Sequence, residues 1–447
     1  MFKKILIANR GEIALRIIRA CKEMGIKTVC IYSQADDKSL HVRFADEVIC
    51  VGPPQSKDSY LNIPNIIAAA EVTDADAIHP GYGFMAENDK FVDICTSSNL
   101  TFIGPSSDAI RKMGNKSIAK MTMQRAGVPV VPGSDGVVST IEEAERVCAE
   151  IGYPVMLKAV AGGGGKGMKL VNSKSELHKA FIIARNEAES FFKNPDIYIE
   201  KLVEASRHIE IQVFGDEFGN VIHMNERECS IQRRHQKLIE ESPSPAINED
   251  LRERMGKASV LGAKSVNYTG PGTIEYLVDK DMNFYFMEMN TRIQVEHTVT
   301  EESLRVDLIK EQIRVAAGEK LALKEQKPIM HSIECRINAE DPYNNFRPAA
   351  GTITSLHLPG GNGVRIDSHI YQGYAIPPYY DSLLGKLITF GNNRSDAIAK
   401  MRLALDEFII EGIPTTIPFH KAMMDNPDFI AGNIDTKYLE DHDWQSF

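Results

Sequence analysis

Short apolar runs alternate with a helical stripe over the first hundred residues of the chain. The runs at residues 4–8, 27–32, 47–51, 75–78 and 101–104 predict buried strands. Between the first two runs, apolar residues recur at helical spacing over residues 11–24, and Gly25 follows. A strand, helix and strand in this order predict a parallel sheet with a right-handed crossover. We predict that this first domain spans residues 1–114.

The pattern changes near residues 127–136, where prolines and glycines predict a linker. Beyond it, residues 208–214 alternate between polar and apolar side chains, which is typical of a strand. A helix is predicted over residues 303–317, and the lysine-rich residues 320–327 mark a second boundary. The last part combines strand-like pieces with a helix predicted over residues 395–411. The pattern therefore predicts a fold of class α/β and α+β, with domains at 1–114, 115–318 and 330–447 and a smaller unit at about 132–203.

The composition is that of an ordinary globular protein, with 43% hydrophobic and 25% charged residues in 447. A net charge of −10 argues against binding to nucleic acid or to anionic membranes. No apolar run approaches the roughly 18 residues that span a membrane. The apolar run near Met1 is too short for a signal peptide, so we expect a cytoplasmic protein that begins there. The seven cysteines form no metal-binding pattern.

A glycine-rich segment follows the strand predicted at residues 155–161. It reads Gly162-Gly163-Gly164-Gly165-Lys166-Gly167, and the next residues, 168–171, predict another strand. A dinucleotide fingerprint needs a helix at that point, and a P-loop ends in Gly-Lys-Ser/Thr. Neither condition is met. We therefore predict a glycine hairpin that closes over nucleotide phosphates, with a merely mobile loop as the alternative.

Two acidic residues are predicted to face each other on a hairpin. Strands at residues 273–278 and 284–289 are joined by a short turn, which places Glu275 opposite Glu288. Such partners lie about 4.5–5.5 Å apart at Cβ, where like charges destabilise a sheet. A bound Mg²⁺ or Mn²⁺ would resolve that conflict. The alternative is an exposed hairpin whose carboxylates are solvated.

Polar side chains continue at every second position after this hairpin, at Glu288, Asn290, Arg292, Gln294 and Glu296. If the segment stays extended, all five line one face. We interpret that face as one wall of an active site, and a solvated edge strand is the alternative.

Six motifs, in order along the chain, resemble the biotin carboxylase family, a branch of the ATP-grasp superfamily. They are the residues Ala8-Asn9-Arg10-Gly11-Glu12-Ile13-Ala14, His79-Pro80-Gly81-Tyr82-Gly83-Phe84, the glycine loop, Gln232-Arg233-Arg234-His235-Gln236-Lys237, the run from Glu288 to His297, and Cys335-Arg336-Ile337-Asn338-Ala339-Glu340. The resemblance covers essentially the whole chain. It implies an ATP-grasp fold with an N-terminal Rossmann-like parallel-sheet domain, a central ATP-grasp domain with a mobile glycine-loop lid, and a C-terminal mixed β/α domain.

The resemblance also implies how ATP and metal are held. The positions that it assigns to ATP are Lys116, Lys158, Gly163, Gly164, Gly165, Lys166, Gly167, Met168, Glu200, Lys201, Val203, His208, Gln232, His235, Glu275, Leu277 and Glu288. Among these, the two lysines at 116 and 158 would contact phosphates and residues 200–203 would form the adenine hinge. Two Mg²⁺ or Mn²⁺ ions are implied, with the ligands Glu275, Glu288 and Asn290.

For the chemistry, the resemblance implies that bicarbonate lies against Lys237, Arg292, Gln294 and Val295, and that Glu296 is the base that deprotonates it. Biotin would contact Tyr82, Gly83, His235 and Arg336. The implied catalytic set is Glu296, Arg336, Arg292 and Lys237. Bicarbonate is a poor nucleophile and biotin a very weak acid, so a fixed base and a cationic oxyanion partner suit both steps.

The implied partners are a biotin carboxyl carrier protein, carboxyltransferase subunits of an acetyl-CoA carboxylase and a second copy of the chain. No Ala/Val-Met-Lys-Met biotinylation motif occurs, so we expect a subunit that serves a separate carrier. Three alternatives remain open. They are the same domain of a larger pyruvate or acyl-CoA carboxylase, another ATP-grasp ligase, and a catalytically silent nucleotide-binding regulatory subunit.

Overall fold

The structure, a computed structural model, describes residues 1–160 and 167–446. Most of the predicted glycine loop, with Gly163, Gly164, Gly165 and Lys166, lies outside the described residues. No helix within the described ranges is long and apolar enough to cross a membrane.

The N-terminal part is a parallel sheet flanked by helices. Its strands are β1 (Lys4–Ile7), β2 (Lys27–Ser33), β3 (Glu47–Gly52), β4 (Ala77–His79) and β5 (Thr101–Phe102). Its helices are α1 (Gly11–Glu23), α2 (Leu40–Phe44), α3 (Ile63–Val72), α4 (Asp89–Ser97), α5 (Ser107–Gly114) and α6 (Lys116–Arg125). The strand order is β3-β2-β1-β4-β5 and every pair is parallel, which confirms the predicted sheet.

A small antiparallel sheet carries the two strands that the glycine loop connects. Its elements are α7 (Ile141–Ile151), β6 (Val155–Ala159), β7 (Met168–Val171), α8 (Lys174–Phe192) and β8 (Ile197–Lys201). Strand β6 lies between β7 and β8. The apolar side chains of Leu157, Phe181 and Ile199 are buried between this sheet and its helices. A strand therefore follows the glycines, as predicted.

An eight-stranded antiparallel sheet forms the centre of the molecule, in the order β13-β12-β9-β10-β11-β14-β21-β19. Its first part contains β9 (Arg207–Gly215), β10 (Val221–Arg233), β11 (Gln236–Ser242), α9 (Glu249–Lys264), β12 (Gly270–Val278), β13 (Phe284–Asn290), α10 (His297–Leu304) and α11 (Leu308–Ala316). The C-terminal part contains β14 (His331–Asn338), β15 (Glu340–Asp341), β16 (Arg347–Pro348), β17 (Gly351–Thr352), β18 (Ser355–His357), β19 (Val364–Ser368), β20 (Ala375–Ile376), β21 (Leu383–Gly391), α12 (Arg394–Glu407), β22 (Ile409–Glu411), α13 (Ile417–Asp425), α14 (Pro427–Ala431) and α15 (Tyr438–Asp441). Because β11 pairs with β14, the sheet runs without a break from residues before 318 to residues after 330.

Two helix predictions were wrong in their extent. The helix expected over residues 303–317 is two helices, because Arg305 adopts a left-handed conformation (φ 57°) and Asp307 begins a new helix by accepting a hydrogen bond from the Lys310 amide. The helix expected over residues 395–411 ends at Glu407. Its last predicted turn is instead β22, which pairs with β18, so a tertiary pairing overrides the helical periodicity.

Candidate active site

The predicted hairpin of opposed carboxylates is present. Strands β12 and β13 pair with Glu275 opposite Glu288, and a shift of register between Glu275 and Tyr276 produces this pairing. Asn290 Nδ2 donates to Glu275 Oε1 over 3.0 Å. Burial, together with the charge of Glu275, raises the pKa of Glu288. Glu275 is also buried, yet its pKa lies well below the usual range because Lys237 and His208 face it. The facing carboxylates are hard oxygen donors, which fits Mg²⁺ or Mn²⁺. The Asn290 amide turns its nitrogen to Glu275, and its oxygen accepts from Arg292.

The ammonium of Lys237 binds three buried glutamates at once. Its Nζ lies 2.5 Å from Glu210, 2.8 Å from Glu275 and 2.6 Å from Glu296. Although burial opposes the charge, these three carboxylates raise the pKa of Lys237 well above its ordinary value. The ammonium therefore stays charged and neutralises part of an otherwise acidic cluster.

His208 belongs to the same cluster. It occupies strand β9, and its Nε2 lies 3.2 Å from Glu275 Oε2. Burial alone would lower its pKa, but the charge of Glu275 raises it to about 9. The site thus has a second cation next to the predicted metal ligands.

The predicted base Glu296 lies between two cations. Its Oε1 accepts from Lys237, and its Oε2 lies 3.0 Å from Arg336 Nη2. Despite complete burial, the charge of Lys237 lowers the pKa of Glu296, and Arg336 adds to that effect. The same guanidinium donates through Nε to Glu240 Oε1 over 2.6 Å. Glu296 is therefore held ionised, as a base must be.

Glu240 is expected to make stability depend on pH. Burial raises its pKa from 4.5 to about 7, so between these values the unfolded chain releases a proton that the folded protein retains. The free energy of unfolding should therefore fall by about 3 kcal/mol as pH rises through that window, at about 1.4 kcal/mol per pKa unit. Urea unfolding at pH 4.5 and pH 8 should show a smaller decrease for Glu240→Gln than for the wild type, because other buried glutamates such as Glu334 with a raised pKa still contribute. The same pH dependence in both proteins would contradict the assignment.

The segment after Asn290 does not stay extended, so that part of the prediction was wrong. The strand ends at Asn290, and residues 294–297 form a tight turn in which Gln294 O accepts hydrogen bonds from the His297 amide and from its Nδ1. Helix α10 begins directly after Glu296. The polar side chains still converge on the hairpin, because Gln294 Nε2 donates to Glu275 Oε1 over 2.9 Å.

Arg292 is held by two side-chain acceptors and by the carbonyl of Ile293. Its Nη2 donates to Asn290 Oδ1 over 2.9 Å, and its Nε donates over 2.8 Å to Glu87, a residue that precedes α4. The guanidinium therefore lies between the N-terminal sheet domain and the hairpin.

The lysines predicted to contact phosphate lie on different elements. Lys158 Nζ donates over 2.6 Å to Glu200 on the neighbouring strand, and Lys120 Nζ binds the other oxygen of Glu200 over 2.8 Å. Lys116 is largely exposed, and its Nζ lies 4.0 Å from Glu288 Oε2. The ammonium of Lys201 donates to the Tyr153 carbonyl over 2.7 Å. Only the backbone of Lys201 is therefore left for the predicted adenine hinge.

The remaining positions predicted for ATP lie on paired strands or directly beside a strand. Leu277 pairs with His208 between β12 and β9, and Gln232 pairs with Lys237 between β10 and β11. Gly167 (φ 74°) and the exposed Met168 continue from the loop into β7, and Val203 follows β8. These residues thus belong to two sheets, the small one and the central one, or directly adjoin them.

The positions predicted for biotin lie at one edge of this cluster. The Tyr82 hydroxyl donates to Glu12, and Gly83 next to it has φ 68°. His235 is exposed in the two-residue turn from β10 to β11, where it and Arg234 both have positive φ, as in a type I′ hairpin. Arg336 reaches the same side from β14.

A buried lysine connects this edge with the bicarbonate positions. Lys386 on β21 is fully buried, and its Nζ donates to the Val295 carbonyl over 2.6 Å. The same Nζ lies 3.3 Å from Glu12, the acceptor for Tyr82. The Lys386 ammonium thus connects the C-terminal part of the chain with Glu12 of the N-terminal part and Val295 of the central part.

Sequence reasoning missed several buried residues of the site, namely Glu210, Arg227, Glu240 and Lys386. A signal existed for Glu210, because His208, Glu210 and Gln212 share one face of an alternating strand. Nothing in the local sequence distinguished the others from ordinary charged residues.

The fold and the site together define an ATP-grasp enzyme, which has a small antiparallel sheet and a large sheet that carries opposed carboxylates. Family models match in the same order. Residues 1–110 match the biotin carboxylase N-terminal domain, residues 115–324 the ATP binding domain of the carbamoyl-phosphate synthase L chain, and residues 334–441 the biotin carboxylase C-terminal domain. The chain belongs to the biotin carboxylase family of ATP-dependent ligases.

Individual relatives agree with this assignment. The chain is 59% identical to a biotin carboxylase of Nostoc sp., over 98% of this chain and 99% of that one. It is similar to the structure of a biotin carboxylase–β-γ-ATP complex from Campylobacter jejuni, with 54% identity, a TM-score of 0.92 and 99% of both chains covered. It is also similar to the biotin carboxylase domain dimer of the Hydrogenobacter thermophilus 2-oxoglutarate carboxylase, in complex with MgADP, ADP and bicarbonate, with 50% identity, a TM-score of 0.90 and 99% and 98% of the chains covered. The predicted family, fold and ATP-dependent biotin carboxylation are confirmed.

Proposed function

We propose that this chain carries out the first half-reaction of an acetyl-CoA carboxylase, the carboxylation of carrier-bound biotin by bicarbonate and ATP. The observation that carries the proposal is the position of Glu296, which is buried, ionised and held between Lys237 and Arg336. A buried base between two cations suits an anionic substrate that must lose a proton before it can attack.

In the first step, Lys237, Arg292 and the Gln294 amide hold bicarbonate, and Glu296 takes its proton. The freed oxygen forms a bond to the γ-phosphorus of ATP as the bond from that phosphorus to the bridging oxygen breaks. ADP leaves, and carboxyphosphate is the product. The cations contribute by stabilising the extra negative charge in a site from which water is largely excluded.

The metal ions belong at Glu275, Glu288 and Asn290. Burial and like charge already raise the pKa of Glu288, so the pair gains from a neighbouring cation. A divalent ion bound there supplies charge neutralisation for the phosphates of ATP. Lys116 and Lys158 would hold the same phosphates.

In the second step, carboxyphosphate breaks into CO₂ and phosphate, and phosphate takes the proton from N1′ of biotin. The N1′ nitrogen then forms its bond to the carbon of CO₂. Arg336 stabilises the enolate oxygen of the ureido group, and Glu240 holds the guanidinium in place from behind. The family resemblance assigns Tyr82, Gly83 and His235 to biotin, and they would contact it in this step.

The partners in this proposal are a biotin carboxyl carrier protein, carboxyltransferase subunits and a second copy of the chain. The dimer proposal is supported by the Hydrogenobacter relative, whose biotin carboxylase domain is described as a dimer. The same relative favours a second candidate, because its parent enzyme is a 2-oxoglutarate carboxylase. The site described here acts on biotin in either case, so the final acceptor depends on the carboxyltransferase.

The test is ADP release by the purified chain with Mg²⁺-ATP, measured with and without bicarbonate and with and without free biotin. We expect turnover that requires bicarbonate and increases with biotin. ATP hydrolysis indifferent to both would indicate another ATP-grasp ligase, and no hydrolysis would favour a regulatory subunit. Adding carrier and carboxyltransferase with acetyl-CoA or 2-oxoglutarate then separates the two candidates.

A further inference from the structure

Arg227 on β10 is fully buried and has no predicted contact with any substrate. Its guanidinium nevertheless donates five hydrogen bonds. Nε donates to Glu210 over 2.5 Å, Nη1 to Gln212 over 2.7 Å and Thr300 over 3.0 Å, and Nη2 to Thr273 over 2.9 Å and Gln294 over 3.0 Å. A guanidinium has five N–H donors, so every one is used.

These five acceptors come from four different places in the fold. Glu210 and Gln212 belong to β9, Thr273 to β12, Gln294 to the turn after β13, and Thr300 to α10. A planar, rigid donor that binds all of them fixes their positions relative to one another. Two of the contacts, those with Gln294 and Glu210, connect Arg227 with the residues proposed to bind bicarbonate.

The first of these contacts determines which way the Gln294 side chain faces. An arginine can only donate, so the amide oxygen of Gln294 must point at Arg227. The amide nitrogen then points the other way, where it donates to Glu275 Oε1 over 2.9 Å. Since that nitrogen carries two N–H groups, one bond to Glu275 leaves the second for an anion.

The second contact acts through Glu210. Arg227 binds Oε1 of this carboxylate, and Oε2 accepts from Lys237 over 2.5 Å. Arg227 thereby holds the carboxylate that holds the Lys237 ammonium. Gln294 and Lys237, both proposed to bind bicarbonate, are thus anchored by one buried side chain.

We propose that Arg227 is a positioning residue that selects for an anion, because it keeps an N–H donor of Gln294 and the ammonium of Lys237 directed at bicarbonate. The inference rests on the proposed function of this site. Without Arg227 the amide can rotate and present its oxygen, which repels an anion.

The test is the bicarbonate dependence of ADP release in Arg227→Lys. A lysine keeps the charge but cannot reach five acceptors. We expect the KM for bicarbonate to rise by about tenfold or more, and the KM for ATP to change by less than about twofold. Simple loss of folded enzyme would lower the maximal rate and leave KM unchanged.

Arg394→Lys is the matched control. Arg394 donates four hydrogen bonds, to Glu241 and to the carbonyls of Phe429 and Ile430, and none of these residues belongs to the proposed site. Its bicarbonate KM should equal that of the wild type. A double-mutant cycle with Gln294→Ala adds a second criterion. Only the contact through Glu210 and Lys237 then remains, so Arg227→Lys should raise KM by a smaller factor than it does in the wild type.

Each outcome has one meaning. A wild type without bicarbonate-dependent ADP release overturns the proposed function. An active wild type with an unchanged bicarbonate KM in Arg227→Lys overturns only the role of Arg227. If that variant does not fold, Thr300→Val replaces it, since it removes one acceptor at nearly constant shape. An increase of about twofold or more in its bicarbonate KM supports the proposal, and an unchanged KM rejects it.

Discussion

Glu296→Gln is expected to lower bicarbonate-dependent ADP release about a thousandfold while ATP still binds. Glutamine preserves the shape and still accepts from Lys237, but it cannot take a proton at neutral pH. General base catalysis typically contributes 10²- to 10⁴-fold, so a loss of roughly that size follows. Turnover at saturating bicarbonate and ATP affinity by calorimetry measure the two effects separately.

Glu226→Gln serves as the control for this substitution. Glu226 is also a buried glutamate on the central sheet, but it is paired with Arg252, outside the proposed site. The turnover of folded Glu226→Gln should stay near that of the wild type. Normal turnover in Glu296→Gln would rule out the proposed base.

Lys237→Met is expected to damage both stability and catalysis. The substitution leaves three carboxylates, Glu210, Glu275 and Glu296, without the ammonium that they share. Removing one partner of a buried ion pair costs about 3–5 kcal/mol, so thermal unfolding should shift to a clearly lower temperature. Adding Mg²⁺ should recover part of that loss if the proposed metal site is correct.

The catalytic effect of Lys237→Met should also appear in the pH profile. Lys237 lowers the pKa of Glu296, so its removal raises that pKa and leaves less of the base ionised at neutral pH. The acidic limb of the profile of kcat/KM for bicarbonate should therefore move to higher pH. Lys310→Met is the control. It removes a lysine that is paired with Glu23 and Asp307, and neither of these belongs to the proposed site. An unshifted limb would mean that Lys237 does not control the base.

Short-range patterns predicted much of this molecule. The parallel N-terminal sheet and the strand after the glycines follow from periodicity and turn residues alone. The hairpin of β12 and β13 could be predicted from its short turn, but the exact partner of Glu275 could not. The turn pairs Val278 with Phe284, a register that would place Met287 opposite Glu275, and only an irregularity between Glu275 and Tyr276 brings Glu288 there. Glu296 and Arg336 were identified from the family resemblance. In the structure, Glu296 Oε2 lies 3.0 Å from Arg336 Nη2.

Other features depended on hydrogen bonds that the periodicity of the sequence does not show. Residues 409–411 continue a helical stripe in the sequence, but they pair with β18. Residues 291–296 continue a strand-like alternation, but the Gln294 carbonyl is capped by His297 and the chain turns into α10. In each case a long-range or local hydrogen bond outweighs a weak local preference.

The sequence by itself determined the family, the class of fold and the hairpin that carries Glu275 and Glu288. Only the tertiary structure decided how charge is balanced among the residues of the site. Lys237 meets glutamates from β9, from β12 and from the turn before α10, and Arg227 meets acceptors from four segments. The physical reason is that the pKa of a buried group depends on charges within a few ångströms in space, and the residues that carry those charges lie 27 to 59 positions from Lys237 along the chain.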